Sequence, residues 1–283
     1  MNSPAQGVAA ATHLDPRLFK RFCELAFEQA GIKLKAGKEA LVAGRIARRV
    51  RALRLKGPAD YLRYLEAEEN AEEIIEFIDA ISTNYTRFNR EQDHLDMLAK
   101  KVDGYVQAGK RKLRIWCAAS SSGEEPYSMV IAIETALQGR SCDYRILATD
   151  ISTAVLARAQ RGIYTPEAIA PVGDAARRRF FEECKDKDGK PAYSVNETLR
   201  RRVVFRRLNL VKPPYPMSGP FEIVFCRNVM IYFERPERQR VVSSIEKLLA
   251  PGGDFYVGLA ESLTGLQHNL KVLRPSCYRK VEA

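Results

Sequence analysis

Residues 113–128 read LRIWCAASSSGEEPYS and combine an apolar run, a loop of small side chains and an acidic helix start. The run over residues 113–119 is almost continuously apolar, as is typical of a parallel strand buried on both faces. The small residues that follow allow a ligand to approach the backbone, and the helix that starts at Glu124 offers unpaired N–H groups. Ligands of open parallel sheets bind beyond the carboxyl ends of the strands. The segment therefore predicts the first strand and the ligand-binding loop of such a sheet.

The chain beyond this segment alternates short apolar runs with helical periodicity. This alternation predicts an α/β fold with a doubly wound, mainly parallel sheet. The last run has no helix before it from Ser262 onward, and we expect it to join the sheet edge as an antiparallel strand. The predicted strands are residues 113–119, 144–149, 203–208, 222–226, 254–259 and 272–281. The predicted helices are residues 124–137, 153–160 and 237–249.

An insertion interrupts the alternation between residues 164 and 202. It is too long for a plain crossover, and it contains two prolines, a polar tip at residues 186–191 and a strand-like run at residues 192–195. We interpret it as a helix followed by a small antiparallel β-subdomain over about residues 165–202. A charged loop without regular structure is the alternative.

The N-terminal part has helical periodicity throughout. Asp15 before Pro16 is typical of an N-cap followed by proline at the first helical position. Apolar stripes over residues 38–55, 60–65 and 71–81 predict further helices. The predicted organisation is a flexible terminus over residues 1–14, an all-α domain over 15–82, a linker and helix over 83–112, and the α/β domain over 113–283.

Composition limits the classes of partner and site. The net charge of +11, from 46 Lys+Arg against 35 Asp+Glu, favours an acidic partner without identifying it. The six cysteines contain no Cys-x-x-Cys pair, and no secretory leader precedes them, which favours reduced thiols in a cytoplasm. The three histidines do not have metal-ligand spacing, so we expect no metal site. No apolar run approaches the ~20 residues needed to cross a bilayer, so we expect no membrane insertion.

The loop after the first strand indicates the class of cofactor. A Gly-x-Gly-x-x-Gly pattern is absent, which argues against a dinucleotide. Glu124 and Glu125 would repel an anion and attract a cation such as the sulfonium and ammonium groups of S-adenosylmethionine. Asp150 directly follows the second strand, where an acid typically accepts hydrogen bonds from ribose hydroxyls. The alternatives are that Ser122 and Glu125 form a helix capping box and that Asp150 caps a helix.

Five blocks of the sequence resemble signatures of the CheR methyltransferase family and occur in that family's order. The resemblance extends from about Asp15 to the C-terminus. Two positions depart from the family pattern: Asn89 stands where a second phenylalanine is usual, and Ser121-Ser122 replaces Ser-Thr. The blocks are residues 82–91 (STNYTRFNRE), 122–128 (SGEEPYS), 148–151 (ATDI), 209–210 (NL) and 225–233 (FCRNVMIYF).

The resemblance implies a methyltransferase that uses S-adenosylmethionine to esterify glutamate side chains on the cytoplasmic domains of chemoreceptors. It also implies that Glu125 holds the amino group of the cofactor, Asp150 the ribose, and residues 209–210 the adenine. The product would be S-adenosylhomocysteine. The positions implied around the cofactor are Asn84, Thr86, Arg90, Ala118, Glu125, Asp150, Asn209, Leu210, Cys226, Arg227 and Asn228.

The reaction implied by the resemblance requires little chemistry from the protein. A glutamate carboxylate, with a pKa of about 4.3, is already ionised at neutral pH, so that no general base is needed. What remains is in-line positioning and exclusion of water. We expect Arg90 and the hydroxyl of Tyr232 to orient the carboxylate, with only partial pairing to Arg90, because a tight ion pair would lower its nucleophilicity. A core position with a satisfied hydroxyl is the alternative for Tyr232.

The helix over residues 38–56 is the predicted partner surface. Lys38, Arg45, Arg49 and Lys56 share one face with Arg48 at its edge, and no compensating acid is apparent along that face. A plain solvated face is the alternative. The resemblance implies that this helix docks on the receptor's helical bundle through Arg45, Arg48 and Arg49. We also expect a monomer, and the turn at residues 188–191 is compatible with binding of a receptor C-terminal peptide by the β-subdomain.

Two other functions are compatible with parts of the sequence. A nucleic-acid methyltransferase would suit the positive charge. Residues 212–215, Lys-Pro-Pro-Tyr, resemble the proline-proline-aromatic motif of amino-methylating enzymes, but they lack its first Asp or Asn and follow the third strand of the domain instead of the fourth. We therefore expect no nucleic-acid partner. A non-enzymatic sensor or adaptor that binds the nucleoside stays open from the sequence.

Overall fold

The computed structural model of the chain describes residues 14–34 and 37–281. The chain divides into two units, residues 1–82 and residues 83–283, and buried apolar side chains form a core in each. The flexible terminus predicted over residues 1–14 lies outside the described residues except for Leu14, which is buried. No helix within the described ranges is long and apolar enough to cross a bilayer.

The first unit is helical, as predicted. The carboxylate of Asp15 accepts hydrogen bonds from two backbone N–H groups of the first turn, at 2.8 and 3.3 Å, which confirms the predicted N-cap. Phe22, Tyr61 and Phe77 pack together in the core with ring centroids 5.8 to 6.4 Å apart. The helices of this unit are α1 Pro16–Ala30, α2 Glu39–Ala52, α3 Pro58–Glu66 and α4 Ala71–Ile81, with a 3-10 turn at Glu68–Asn70.

The basic face of α2 is compensated by α4, contrary to the expectation from the sequence. Arg49 donates hydrogen bonds to both carboxylate oxygens of Glu73, at 2.9 and 2.7 Å, and lies 3.0 Å from Glu76. Glu73 is buried and also accepts the hydroxyl of Tyr61 at 2.8 Å. The acids come from a different helix, so helical periodicity in α2 alone could not reveal them.

Arg45 is also used within the first unit. Its Nη1 atom donates to the backbone carbonyl groups of Ile81 and Ser82, at 2.6 and 3.1 Å, where α4 ends. Such a contact satisfies carbonyl groups that the helix itself leaves unpaired. Arg48 is exposed, as is Arg51 one turn later. Of the three predicted receptor-binding arginines, Arg48 therefore has the side chain most accessible to a partner.

The second unit contains two sheets, one of seven strands and one of three. Its strands are β1 Lys112–Ala118, β2 Asp143–Asp150, β3 Ile163–Tyr164, β4 Phe181–Lys185, β5 Pro191–Val195, β6 Val203–Arg207, β7 Phe221–Cys226, β8 Leu249–Val257, β9 Leu270–Arg274 and β10 Cys277–Lys280. Its helices are α5 Gln92–Gln107, α6 Glu124–Leu137, α7 Thr153–Arg161, α8 Pro166–Ile169, α9 Asp174–Phe180, α10 Glu197–Arg202 and α11 Arg235–Leu248, with a 3-10 turn at Met230–Tyr232.

The large sheet has the strand order β6-β2-β1-β7-β8-β10-β9, and its first five strands are parallel. This confirms the predicted doubly wound, mainly parallel sheet. Strand β1 lies near the centre, with Ile115 and Cys117 in the core on one face and Trp116 and Ala118 in the core on the other. Burial on both faces from Ile115 to Ala118 explains why this part of the run shows no polar alternation.

The C-terminal run forms two strands, and the prediction of one antiparallel strand was therefore wrong. Ser276 has a positive φ of 61° and turns the chain after Pro275. As a result, β10 pairs antiparallel with β8, and β9 pairs antiparallel with β10 at the sheet edge. Strand β8 also begins earlier than predicted, because it continues through Gly252 and Gly253 with a register shift opposite β7.

The insertion forms helices and an antiparallel β unit, as predicted, instead of an irregular loop. Strands β4 and β5 are joined by a turn in which the carboxylate of Asp186 accepts the backbone N–H groups of Asp188 and Lys190, at 2.9 and 2.8 Å. Strand β3 pairs with the other side of β5 and supplies the buried Tyr164. The hydroxyl of Tyr164 donates to the backbone carbonyl of Ser122 at 2.8 Å, so the small sheet supports the loop after β1.

Candidate functional site

The carboxyl ends of β1, β2 and β7 lie side by side at one edge of the large sheet. Ala118 pairs with Thr149 of β2 on one side and with Cys226 of β7 on the other. Asp150 and Arg227 are the next residues along those two strands. Predicted cofactor residues that are distant in sequence are therefore neighbours at this edge, where ligands of parallel sheets bind.

Asp150 connects three loops at this edge. Its buried carboxylate accepts the backbone N–H groups of Ser121 and Ser152, at 2.8 and 3.0 Å. Its backbone carbonyl accepts the N–H group of Leu208 at 2.9 Å, which places residues 209–210 just beyond. Ser152, not Asp150, is the N-cap of α7, so the helix-cap alternative for this acid is wrong.

Glu125 forms a buried ion pair with Arg227. Its Oε2 atom lies 3.2 Å from Nε and 3.1 Å from Nη2 of the guanidinium, and the thiol of Cys117 donates to Oε1 at 3.4 Å. The capping box between Ser122 and Glu125 does not form, because the Ser122 hydroxyl donates to Glu124 at 2.7 Å. A cationic group bound by Glu125 would share that carboxylate with Arg227.

Arg227 also joins the sheet edge to the segment before α5. Its Nη2 atom donates to the backbone carbonyl of Arg90 at 2.8 Å, and its Nη1 atom lies 3.4 Å from Nδ1 of His94. The side-chain amide of Asn228 donates to Glu91 at 3.2 Å. Burial alone would raise the pKa of Glu91, but the hydrogen bond from His94 and the charge of Arg227 outweigh burial and lower the pKa to about 2. Glu91 is therefore an anion within this network.

The segment that contains Asn84 is held to the edge by backbone and side-chain hydrogen bonds. The Asn84 carbonyl accepts the Ser121 hydroxyl at 3.0 Å. Asn89 has a positive φ of 56°, a conformation that asparagine adopts more readily than most residues. Its N–H group donates to the Ser128 hydroxyl at 3.0 Å and its side chain to the carbonyl of Pro171 at 2.8 Å. Asn89, at a position where phenylalanine is usual, thus anchors this segment through hydrogen bonds.

Glu261 holds the turn after β7. Its Oε2 atom accepts the backbone N–H groups of Asn228 and Gly258, at 2.7 and 2.6 Å, and its Oε1 atom accepts that of Ile231 at 3.2 Å. Burial raises the pKa of this carboxyl group, although the N–H groups oppose the rise. The contacts fix the 3-10 turn on which Tyr232 lies.

The two predicted catalytic residues keep polar groups available at the surface of this edge. Tyr232 is half-buried, and within the described part of the chain its hydroxyl has no hydrogen-bond partner, unlike a satisfied core tyrosine. The Arg90 side chain is one quarter exposed and donates to the Tyr85 carbonyl at 3.1 Å, with its guanidinium carbon 5.7 Å from the Tyr85 ring centroid. Its nearest carboxylate is Glu91, 4.0 Å from Nε. Arg90 can therefore still pair with an incoming carboxylate.

The remaining predicted residues are distributed as follows. Thr86 and Asn209 are half-buried, whereas Leu210 is buried and its carbonyl accepts the hydroxyl of Tyr215 at 2.7 Å. The Tyr215 ring packs against Trp116 with centroids 5.7 Å apart. The aromatic residue of the Lys-Pro-Pro-Tyr motif is thus part of the core, which removes it as a platform for a nucleic-acid base.

Charge at the edge favours a cationic ligand. Carboxylates outnumber guanidinium groups there, and like charges would oppose an anion. Burial raises the pKa of both the Cys117 and Cys226 thiols, so these cysteines are neutral and unsuited to nucleophilic catalysis. Among residues 14–34 and 37–281, no group of three or more His, Cys, Asp or Glu side chains could hold a metal ion. The charged groups at the edge are Glu91, Glu124, Glu125, Asp150, Glu261, Arg90, Arg207 and Arg227.

Three residues that organise this site had no role in the sequence interpretation. Glu91 ends the first CheR-like block, and its place there was the available signal. Glu261 lies four residues beyond the end of β8, and no local pattern linked it to the backbone N–H groups of the turn after β7. His94 was considered only as a metal ligand, whereas it is buried between Glu91 and Ser276.

Comparison with known proteins agrees with this architecture. Residues 84–278 match the family described as CheR methyltransferase, SAM binding domain, and residues 17–82 match CheR methyltransferase, all-alpha domain. Chemotaxis protein methyltransferase 2 of Pseudomonas aeruginosa is 36% identical over 260 residues, covering 92% of this chain and 91% of that protein. Chemotaxis protein methyltransferase of Vibrio parahaemolyticus is 38% identical over 262 residues, covering 91% and 92%.

A solved structure with a bound cofactor analogue is a more distant match. The glycopeptide N-methyltransferase MtfA complexed with sinefungin covers 71% of this chain and 62% of its own, with a TM-score of 0.35 and 13% identity. That similarity is too low to bear on the site. The two family matches span both units, and the relatives align over nearly their whole length. This chain therefore belongs to the CheR methyltransferase family.

Proposed function

We propose that this chain transfers the methyl group of S-adenosylmethionine to glutamate side chains on the cytoplasmic domains of chemoreceptors, giving glutamyl methyl esters and S-adenosylhomocysteine. The observation that carries the proposal is an acidic cofactor edge next to Arg90, a cation suited to a carboxylate acceptor. The relatives named chemotaxis protein methyltransferase support chemoreceptors as the substrate class. The reaction would take place in the cytoplasm.

The residues at the edge suit S-adenosylmethionine. Asp150 offers a buried carboxylate to ribose hydroxyls, and Glu125 offers a charge to the amino group. Residues 209–210 follow β6 and would contact the adenine. Ser120 Oγ is buried without a hydrogen-bond partner within the described chain, as expected of a polar atom in a loop that adjusts to a ligand. When bound, the cofactor supplies an electrophilic methyl group.

The protein's own task is to position a carboxylate that is already nucleophilic. Arg90 would hold one oxygen of the acceptor glutamate, and the Tyr232 hydroxyl would donate to the same group. Two hydrogen bonds restrain Arg90: Arg227 donates to its backbone carbonyl, and the backbone carbonyl of Tyr85 accepts from its guanidinium. This restraint favours partial pairing with the substrate over a tight bidentate ion pair. No residue needs to remove a proton from the acceptor.

Two surfaces are proposed to bind the receptor. The exposed Arg48 on α2 would contact an acidic part of the receptor's helical bundle, with Arg45 and Arg49 behind it. The small sheet would take a receptor C-terminal peptide along β4, which is an edge strand with one side free of strand pairing within the described residues. The charge of the first surface predicts weaker binding at high salt.

The chemical nature of the product tests this proposal. We expect that the protein, methyl-labelled cofactor and receptor-containing membranes give protein-bound label that alkali releases as volatile methanol. Carboxyl methyl esters hydrolyse under these conditions, whereas N-methyl groups do not. Base-stable label, or label on added nucleic acid, would contradict a glutamate acceptor, and absence of any transfer would favour a ligand sensor.

A further inference from the structure

Three large apolar side chains are exposed next to predicted site residues. Tyr85 is 73% exposed, Leu259 is 64% exposed and Ile231 is 44% exposed. Tyr85 lies between two predicted cofactor residues, Ile231 precedes Tyr232, and Leu259 follows the end of β8. Single exposed apolar residues are common, but a group of them beside one site indicates a contact surface.

Hydrogen bonds link these three residues, here called the apolar rim, to one network. The backbone N–H of Leu259 donates to Glu91 at 3.4 Å, and that of Ile231 donates to Glu261 at 3.2 Å. Tyr85 lies under the guanidinium of Arg90, which directly precedes Glu91. The backbones of three separate loops are therefore tied to the network that contains Arg90, the cation expected to bind the acceptor carboxylate, and each loop exposes one large apolar side chain.

The mixture of one cation with apolar neighbours defines the kind of partner that fits. We propose that the apolar rim contacts apolar side chains that flank the methyl-accepting glutamate, and that Tyr85, Ile231 and Leu259 thereby determine which glutamates of the acceptor are methylated. In a helix, residues three and four positions away lie beside a given side chain, so that one glutamate can have apolar neighbours on both sides. The inference rests on the proposed function and specifies the acceptor for that same site.

Apolar contacts at the rim would exclude water from the ion pair between Arg90 and the acceptor carboxylate, and so strengthen binding of the acceptor. Ile231 and Leu259 are not among the residues assigned to the cofactor or to the acceptor carboxylate, so the effect of changing them should fall on acceptor binding. They would determine specificity without being catalytic residues.

Steady-state kinetics with a receptor cytoplasmic fragment tests the inference. For Leu259→Ser combined with Ile231→Ser, we expect the KM for the fragment to rise by about tenfold, as for loss of one well-buried aliphatic contact. The affinity for S-adenosylhomocysteine and kcat should stay unchanged. The matched control is Val272→Ser on β9, an equally polar change at a side chain that is 58% exposed, and its KM should equal that of the wild type.

A second arm changes the acceptor. Replacing the apolar neighbours of one methylated glutamate by serine in the fragment should raise the KM of the wild type by a similar factor, with little further effect in the rim variant. An unchanged KM in the rim variant would overturn the inference. So would increases in KM that add when the rim variant is combined with the changed fragment. Methylation of the fragment by the wild type would still support the proposed function in either case. A rim variant that instead dissolves a dimer in sedimentation, or releases the protein from anionic vesicles, would identify another occupant and also overturn the inference.

Discussion

At the scale of single residues, Arg227 connects the parts of the candidate site. Its buried guanidinium pairs with Glu125, binds the Arg90 carbonyl and lies beside Glu91 and His94. A buried charge is tolerated only when partners of this kind satisfy it. The same contacts fix the cofactor edge and the segment carrying Arg90 relative to each other. The site is thus organised around one cation.

Removal of either acid assigned to the cofactor should weaken binding. We expect Asp150→Ala and Glu125→Ala each to reduce the affinity for S-adenosylhomocysteine by about 1.5–3 kcal/mol, the usual range for a charged hydrogen bond, measured by calorimetry. Glu182→Ala, on exposed β4, is the control and should bind as the wild type does. Unchanged affinity in folded Asp150 and Glu125 variants would place the cofactor elsewhere.

The buried His94 should make stability depend on pH. Burial lowers its pKa, but hydrogen bonds to Cys277 and Glu91 outweigh burial and raise the pKa above the ordinary value of about 6.5. A raised pKa contributes stability that is complete below about pH 6.5 and is lost as the pH rises through the folded-state pKa.

We therefore expect the wild type to have a higher free energy of unfolding in urea than the His94→Asn variant. This difference should be larger at about pH 5.5 than at about pH 8.5. His268→Asn, which removes a histidine outside this cluster, controls for the substitution itself. A difference between wild type and His94→Asn that grows with pH would show that His94 favours the neutral form in the folded protein.

At the scale of elements, α2 divides its arginines between structure and surface. Arg49 pairs with the buried Glu73, and Arg45 binds carbonyl groups at the end of α4. Breaking a buried pair costs up to about 3–5 kcal/mol, so reversing these charges would destabilise the unit and confound a test of docking. Arg48 and Arg51 are exposed and can be changed without this loss.

Reversal of the exposed charges should separate receptor binding from cofactor binding. We expect Arg48→Glu with Arg51→Glu to keep the wild-type affinity for S-adenosylhomocysteine and to lower kcat/KM for receptor methylation. The substitutions replace electrostatic attraction between α2 and an acidic receptor surface, which salt would screen, by repulsion. The matched control is reversal of the exposed Lys100 on α5 and Lys112 on β1, which lie outside both proposed receptor-binding surfaces. Receptor methylation at the wild-type rate in the α2 variant would exclude this helix as the docking surface.

At the scale of the whole molecule, the order of strands and helices could be predicted from the sequence, whereas the polar contacts between distant segments could not. The continuous apolar run of β1 and the exact ends of α6 followed from periodicity, because they depend on neighbours in sequence. The Glu73 partner of Arg49 and the Glu261 contacts come from distant segments that no local pattern connects. The two-strand C-terminus was missed because one residue with positive φ, Ser276, divides a continuous apolar run.

The position of the transferred methyl group tests the central claim most directly. A receptor cytoplasmic fragment incubated with S-adenosylmethionine and this protein should, by tandem mass spectrometry of its peptides, carry single methyl groups on glutamate side chains. The Asp150→Ala variant should leave those peptides largely unmodified under the same conditions. Methyl groups found on lysine, arginine or the termini, or equal modification by the Asp150 variant, would contradict glutamate methylation at the edge formed by β1, β2 and β7.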